Sequence, residues 1–120
     1  MRYIIVSLLL VINIACKTKT NDPSPVFKEP EQIYISSVVS SPTSSESITL
    51  KNNSGITTNI SGWTLGDTND PTAYSIPPNT ILAQGQFITF LHTTLGFQIN
   101  DSNEILYLKN GGVNWDTWRN

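Results

Sequence analysis

From Ile33 onward the chain alternates between apolar and polar positions in short, interrupted runs. Ile33 and Ile35 alternate with Tyr34 and Ser36, and Ile48 and Leu50 alternate with Ser47 and Thr49. Trp63 and Leu65 flank Thr64, and Tyr74 and Ile76 flank Ser75. Phe87–Leu91 and residues 105–108 are apolar-rich, and a last short run covers residues 113–118. A period of two over four to eight residues is the signature of a half-buried strand. Breaks rich in Asn, Gly and Pro separate the runs, at residues 52–55, 67–71, 77–80, 100–103 and 110–112. No stretch keeps a helical period between caps. The pattern predicts about seven short strands joined by turns, an antiparallel β-sandwich over residues 31–120. The register of residues 105–108 stays open, because both alternations there are apolar.

The first thirty residues follow a different pattern. Arg2 precedes an apolar run over residues 3–14, broken only by Ser7 and Asn13, and Ala15 and Cys16 close it. The run is shorter than the roughly 20 residues that span a bilayer. A basic start, a short apolar core and small residues before a cysteine resemble a bacterial lipoprotein signal peptide. The resemblance implies removal of residues 1–15, lipidation of Cys16 as the first mature residue, and attachment to a membrane through that lipid. It places the chain in the bacterial cell envelope. Asn13 departs from the pattern, which has an aliphatic residue three places before the cysteine. Residues 16–30 then read as a tether. Pro23, Pro25 and Pro30 stand among polar residues, and only Val26 and Phe27 are apolar. Such a segment buries too little to fold, and its prolines extend it.

Composition narrows the partners. Charged residues make up 13% of the chain, where about 25% is usual. The net charge is −2, and Lys51, Lys109 and Arg119 are scattered. No basic cluster exists to follow a phosphate backbone or an anionic lipid surface, which argues against nucleic acid as a partner. Cys16 is the only cysteine. The fold therefore rests on packing, without a disulfide.

The order of particular residues adds a family. Ser61-Gly62-Trp63-Thr64-Leu65 is followed by Tyr74-x-Ile76-Pro77-x-x-Thr80-x-Leu82-x-x-Gly85, then Gly96-Phe97 and a Gly-Gly turn. This series resembles the lamin-tail domain, an immunoglobulin-like β-sandwich, over residues 31–118. The resemblance implies that Gly62, Trp63, Leu65, Pro77, Thr80, Leu82, Gly85, Gly96 and Phe97 determine the fold. Many members carry one glutamate late in the first strand and another in the second. Ser37 and Thr49 stand in those places here, while Glu46 is kept. Asn79 and Gln84 replace Gly and Pro of the central turn. The residues also make physical sense without the family. Trp63 and Leu65 fall on one face of a central strand, and a tryptophan is the largest side chain a small core can hold. Gly62 is expected to leave room beside the indole. Pro77, Pro78 and Asn79 form a rigid turn in which asparagine tolerates left-handed backbone.

Candidate chemistry is sparse. His92 is the only histidine. It reads as a solvated loop residue, since no serine elbow or acid accompanies it. Asp67, Asn69 and Asp70 offer oxygen ligands in one loop and form a weak calcium candidate. The sixth and twelfth places of an EF-hand loop would be Thr72 and Pro78, so turn formation is the simpler role. No catalytic residue, metal site or cofactor is expected. Trp115 and Trp118 are candidate contact residues. Their spacing puts them on opposite faces of a strand, with at most one in the core. A sandwich of two open sheets also leaves edge strands on which another chain can dock. The combined expectation is a membrane-anchored, non-catalytic envelope module that binds a surface protein or a glycan. The alternatives are an envelope hydrolase and a nucleic-acid-binding accessory domain.

Overall fold

A computed structural model of the chain describes residues 31–120. The apolar run of residues 3–14, Cys16 and the tether at residues 16–30 lie outside the described residues. The described residues form an immunoglobulin-like all-β sandwich with antiparallel pairing throughout. One sheet has the order β1 (Ile33–Val39), β2 (Ser47–Asn52), β7 (Phe87–Leu91). The other has the order β5 (Tyr74–Ser75), β4 (Thr64–Asp67), β8 (Ile105–Asn110), β9 (Val113–Arg119). A two-stranded ribbon pairs β3 (Thr58–Asn59) with β6 (Ile81–Leu82).

The alternation in sequence becomes the two sides of each sheet. Ile33, Ile35, Ile48, Leu50 and Phe90 face inward from the first sheet, and Leu65, Leu106 and Leu108 from the second. Leu82 of β6 joins the core, as do Ile60, Trp63, Ile76, Leu95 and Ile99 from outside the two sheets. Pairing resolves the ambiguous run. Leu65 stands opposite Leu108, and directly opposed residues share a face. Leu106 and Leu108 are therefore buried, while Ile105 and Tyr107 are half-buried.

Two points differ from the sequence reading. First, β3 and β6 are strands beyond those read from the sequence, because two residues carry no period. Second, His92 opens a one-turn helix, α1 (His92–Leu95), instead of lying in a loop. Gly96 ends this helix in the left-handed conformation at φ 77°, as is usual for a helix C-terminus, and Leu95 is buried in the core. The two sheets remain separate ladders with edge strands, and side chains tie them together at both edges. The edge strands β1 and β9 meet, because the Ile35 N–H donates to Asp116 Oδ2 at 2.8 Å. The Gln32 side-chain amide also donates to the Trp115 carbonyl at 3.2 Å. On the far side, the rings of Tyr74 on β5 and Phe90 on β7 lie 5.4 Å apart.

Candidate functional site

A groove lies at one end of the sandwich. The start of β1, the end of β8 and the start of β9 converge there with residues 54–63. The groove has a volume of about 600 Å³. Ile33, Ile56, Trp63 and Trp115 form its apolar walls, and neutral hydroxyl and amide side chains supply the rest.

Each wall has a local cause. Trp63 sits immediately before β4. Its N–H donates to the Ile60 carbonyl at 3.1 Å, and its carbonyl accepts from the Ile76 N–H at 2.8 Å. The indole is thereby fixed between two loop segments and is 6% exposed. Trp115 reaches the groove through an irregularity. Leu108 pairs with Asp116 and Lys109 with Asn114, so Trp115 is an extra residue without a partner. Such a bulge breaks strict alternation. Trp115 rests on Trp63 yet stays outside the core. Trp118 packs against the core, and the Trp115 ring lies 5.1 Å from that of Trp63 at 55°. Trp115 remains 39% exposed.

Asn52 builds the adjoining wall, and its role was not legible in the sequence. It is fully buried. Its side-chain amide donates to the carbonyls of Ile56 and Leu82, both at 2.8 Å. Its oxygen accepts from the Ser54 N–H at 2.9 Å and the Ser54 hydroxyl at 2.6 Å. All of its hydrogen-bonding capacity goes into holding the 52–56 turn against β6. That turn exposes the Ile56 side chain, 69% of it, at the lip of the groove.

The opposite end of the molecule holds two buried glutamates, which sequence reasoning also missed. Glu46 is 2% exposed and Glu104 3%. Glu46 Oε1 accepts the Ile99 N–H at 3.0 Å, and Glu104 Oε2 accepts the neighbouring Asn100 N–H at 2.8 Å. Glu104 Oε1 also accepts the Ile105 N–H at 3.0 Å. Two carboxylates, from the residues just before β2 and just before β8, thus hold consecutive amides of the 96–104 connection. The Glu46 carbonyl accepts the His92 N–H at 2.9 Å and ties α1 to the same end. The side chain of His92 makes no hydrogen bond among the described residues.

The remaining sequence candidates take structural positions. Asp67 Oδ1 accepts the N–H groups of Asn69 at 2.9 Å and Asp70 at 2.8 Å. Asp70 Oδ1 accepts the Thr72 N–H at 3.2 Å. These carboxylates face their own loop, and no group of three acidic, histidine or cysteine side chains able to hold a metal occurs among the described residues. That loop lies over Gly66, where an added Cβ would collide with the Asp70 carbonyl and the Pro71 backbone. Thr80 donates from its hydroxyl to the Pro77 carbonyl at 2.7 Å, and Asn79 adopts φ 62°. The Gly85 N–H donates to the Asn52 carbonyl at 2.7 Å, Leu82 is buried, and Phe97 packs against the core. Gly62 serves a different purpose from the one expected. A Cβ there would meet no atom within 4 Å, and the residue instead needs glycine for its φ of 80°.

These features define an immunoglobulin-like module with an aromatic groove at one end and buried carboxylates clamping the other. A family model described as Lamin Tail Domain matches residues 28–119. The chain belongs to the lamin tail domain family, whose immunoglobulin-like members are binding or structural modules and not a known class of enzyme. A search of curated proteins returned no match.

Proposed function

We propose that this chain is a lipid-anchored module of the bacterial cell envelope that binds a partner without chemical turnover. The observation that carries the reading is the division of polar groups within a family module. The buried Glu46, Glu104 and Asn52 are engaged with the chain's own backbone, while the groove at the other end keeps neutral polar groups facing outward. Groups held in this way suit a rigid scaffold better than proton transfer. A concave, mostly apolar surface with a few polar groups is the usual form of a ligand site. The N-terminal pattern supports the anchor. One acyl chain holds a protein reversibly, and two or more hold it firmly, at about 0.8 kcal/mol per buried methylene. Residues 17–30 would give the module reach and raise its concentration near membrane-bound partners.

Two measurements test the reading. Intact-mass analysis of the membrane fraction should find a chain beginning at Cys16 with acyl groups attached. Cys16→Ser should move the protein out of that fraction. An unmodified Cys16 thiol, or cleavage elsewhere, refutes the anchor. Crosslinking in intact cells should capture envelope components. Hydrolysis of an ester, glycan or nucleic acid by purified protein at an enzyme-like rate refutes the non-catalytic part.

A further inference from the structure

We infer that the groove between Trp63 and Trp115 binds a neutral carbohydrate, a pyranose unit or short oligosaccharide. This rests on the binding-module reading above and names its ligand class. The first observation is the aromatic pair. The bulge at Trp115 puts its indole beside Trp63 with the planes tilted at 55°, and more than a third of Trp115 stays open to solvent. A pyranose ring presents an apolar face of C–H groups, and an exposed indole face offers a matching surface at low conformational cost.

The second observation is the kind of polar group beside the indoles. No charged side chain lines the groove. Its polar residues carry only hydroxyls and amides, and two of the amides retain capacity. Asn59 Oδ1 accepts the Ser61 N–H at 2.9 Å, but its NH₂ has no partner among the described residues. The Asn110 amide has neither donor nor acceptor engaged among them. A side-chain amide both donates and accepts, as a sugar hydroxyl does. By contrast, Ser61 Oγ accepts the Thr80 N–H at 3.0 Å, and Ser54 is held by Asn52, so these two keep the wall in shape.

The third observation is scale. About 600 Å³ lies inside the range of roughly 300–1,000 Å³ typical of small-molecule sites. A charged ligand would find no counter-charge in the groove. An apolar ligand would bury the Asn110 amide without a partner, at a cost of about 1–3 kcal/mol. A proline-rich peptide supplies carbonyl acceptors but few donors, and would leave the Asn110 oxygen unsatisfied. A polyhydroxylated neutral ring meets all of these conditions.

The test uses the full chain purified from membranes in detergent. It is titrated with cellotriose, chitotriose and mannotriose while tryptophan fluorescence is followed. Saturable binding of at least one trisaccharide is expected. Trp115→Ala should weaken that binding at least tenfold, Trp115→Tyr should restore most of it, and Asn110→Ala should weaken it about threefold or more. Thermal midpoints of the variants confirm that each is folded. Binding to none of the three, or binding that Trp115→Ala and Asn110→Ala leave unchanged, overturns the inference. So does stronger groove binding by a peptide of residues 20–30 than by any sugar. Cellular crosslinks are scored separately: if they persist while sugar binding is absent, the ligand class is wrong and the binding-module reading stands.

Discussion

The two ends of this sandwich use polar residues in opposite ways. At one end Glu46 and Glu104 are nearly sealed from solvent, and each carboxylate closes on backbone amides of the 96–104 connection. At the other end the polar side chains are neutral, and Asn59 and Asn110 keep hydrogen-bonding groups available beside two indoles. Both ends must cap the same apolar core. The clamped end does so with charge-assisted hydrogen bonds, which are stronger than neutral ones and fix a loop in one conformation. The groove end does so with tryptophan, whose bulk covers the core from outside and leaves a concave surface. A fold with no disulfide can hold one end rigid and leave the other for recognition.

The largest effect is expected where the groove and the core share a residue. Trp63→Ala removes the indole that seals the core and forms the wall, and should cost about 3–5 kcal/mol. That is a large part of the stability of a small domain. Denaturant titration measures it. Cooperative unfolding of the variant near the wild-type midpoint would mean that the groove wall is not part of the core, and the distinction between the ends would lose its basis.

Next come the glutamates. Glu46→Ala leaves the buried Ile99 N–H without its acceptor, and Glu104→Ala removes the acceptor of the part-buried Asn100 and Ile105 N–H groups. Each should cost about 1–3 kcal/mol. Because they hold adjacent amides of one connection, the double variant should deviate from the sum of the singles. Hydrogen exchange should speed up at residues 96–104 and stay slow at residues 52–56. Faster exchange at both places would show that the ends are one cooperative unit.

Much of this was legible in the sequence where the physics is local. The alternation of Ile33 with Ile35 and of Ile48 with Leu50 became the inner face of one sheet, and Phe87–Leu91 is a strand with the bounds read from the chain. The lamin-tail series around Trp63 identified the family. What stayed hidden depends on partners distant in sequence. The strands β3 and β6 are too short to show a period. The bulge at Trp115 exists only relative to β8, so residue parity alone could not place its ring against Trp63. Glu46 and Glu104 resemble surface residues until residues 99 and 100 are folded over them. The one hint was the resemblance, in which Glu46 was kept while the other two acidic places were lost. Asn52 looked like a turn residue and proved to be a buried one whose amide binds two carbonyls.

A third test separates stability from recognition at the groove. Trp115 sits on an unpaired bulge and is partly exposed. Trp115→Ala removes its contact with Trp63, worth about 0.5–1.5 kcal/mol for an aromatic pair beyond area burial. A modest drop in thermal midpoint is expected, smaller than for either glutamate variant. A loss as large as that of Trp63→Ala would make Trp115 a core residue and remove the contrast with the clamped end.

The smallest effect belongs to the seam between the ends, where the Tyr74 ring meets Phe90 at 5.4 Å. Burial raises the Tyr74 phenol above its ordinary value of 10.0, because desolvation penalises the phenolate. The folded state therefore holds this proton more tightly than the unfolded chain does. Below pH 10 the phenol is neutral in both states and stability is unaffected by its titration. As pH rises above 10 the unfolded chain ionises first, and stability falls until the folded-state pKa is passed. Tyr74→Phe should flatten that alkaline decline slightly, at the cost of no hydrogen bond among the described residues. Urea midpoints measured at pH 8, 10 and 11 decide the matter. An alkaline decline that is identical in the wild type and Tyr74→Phe would show that the seam is open to water. The β5 and β7 edges would then be available for docking, and the groove would have a rival surface for a partner.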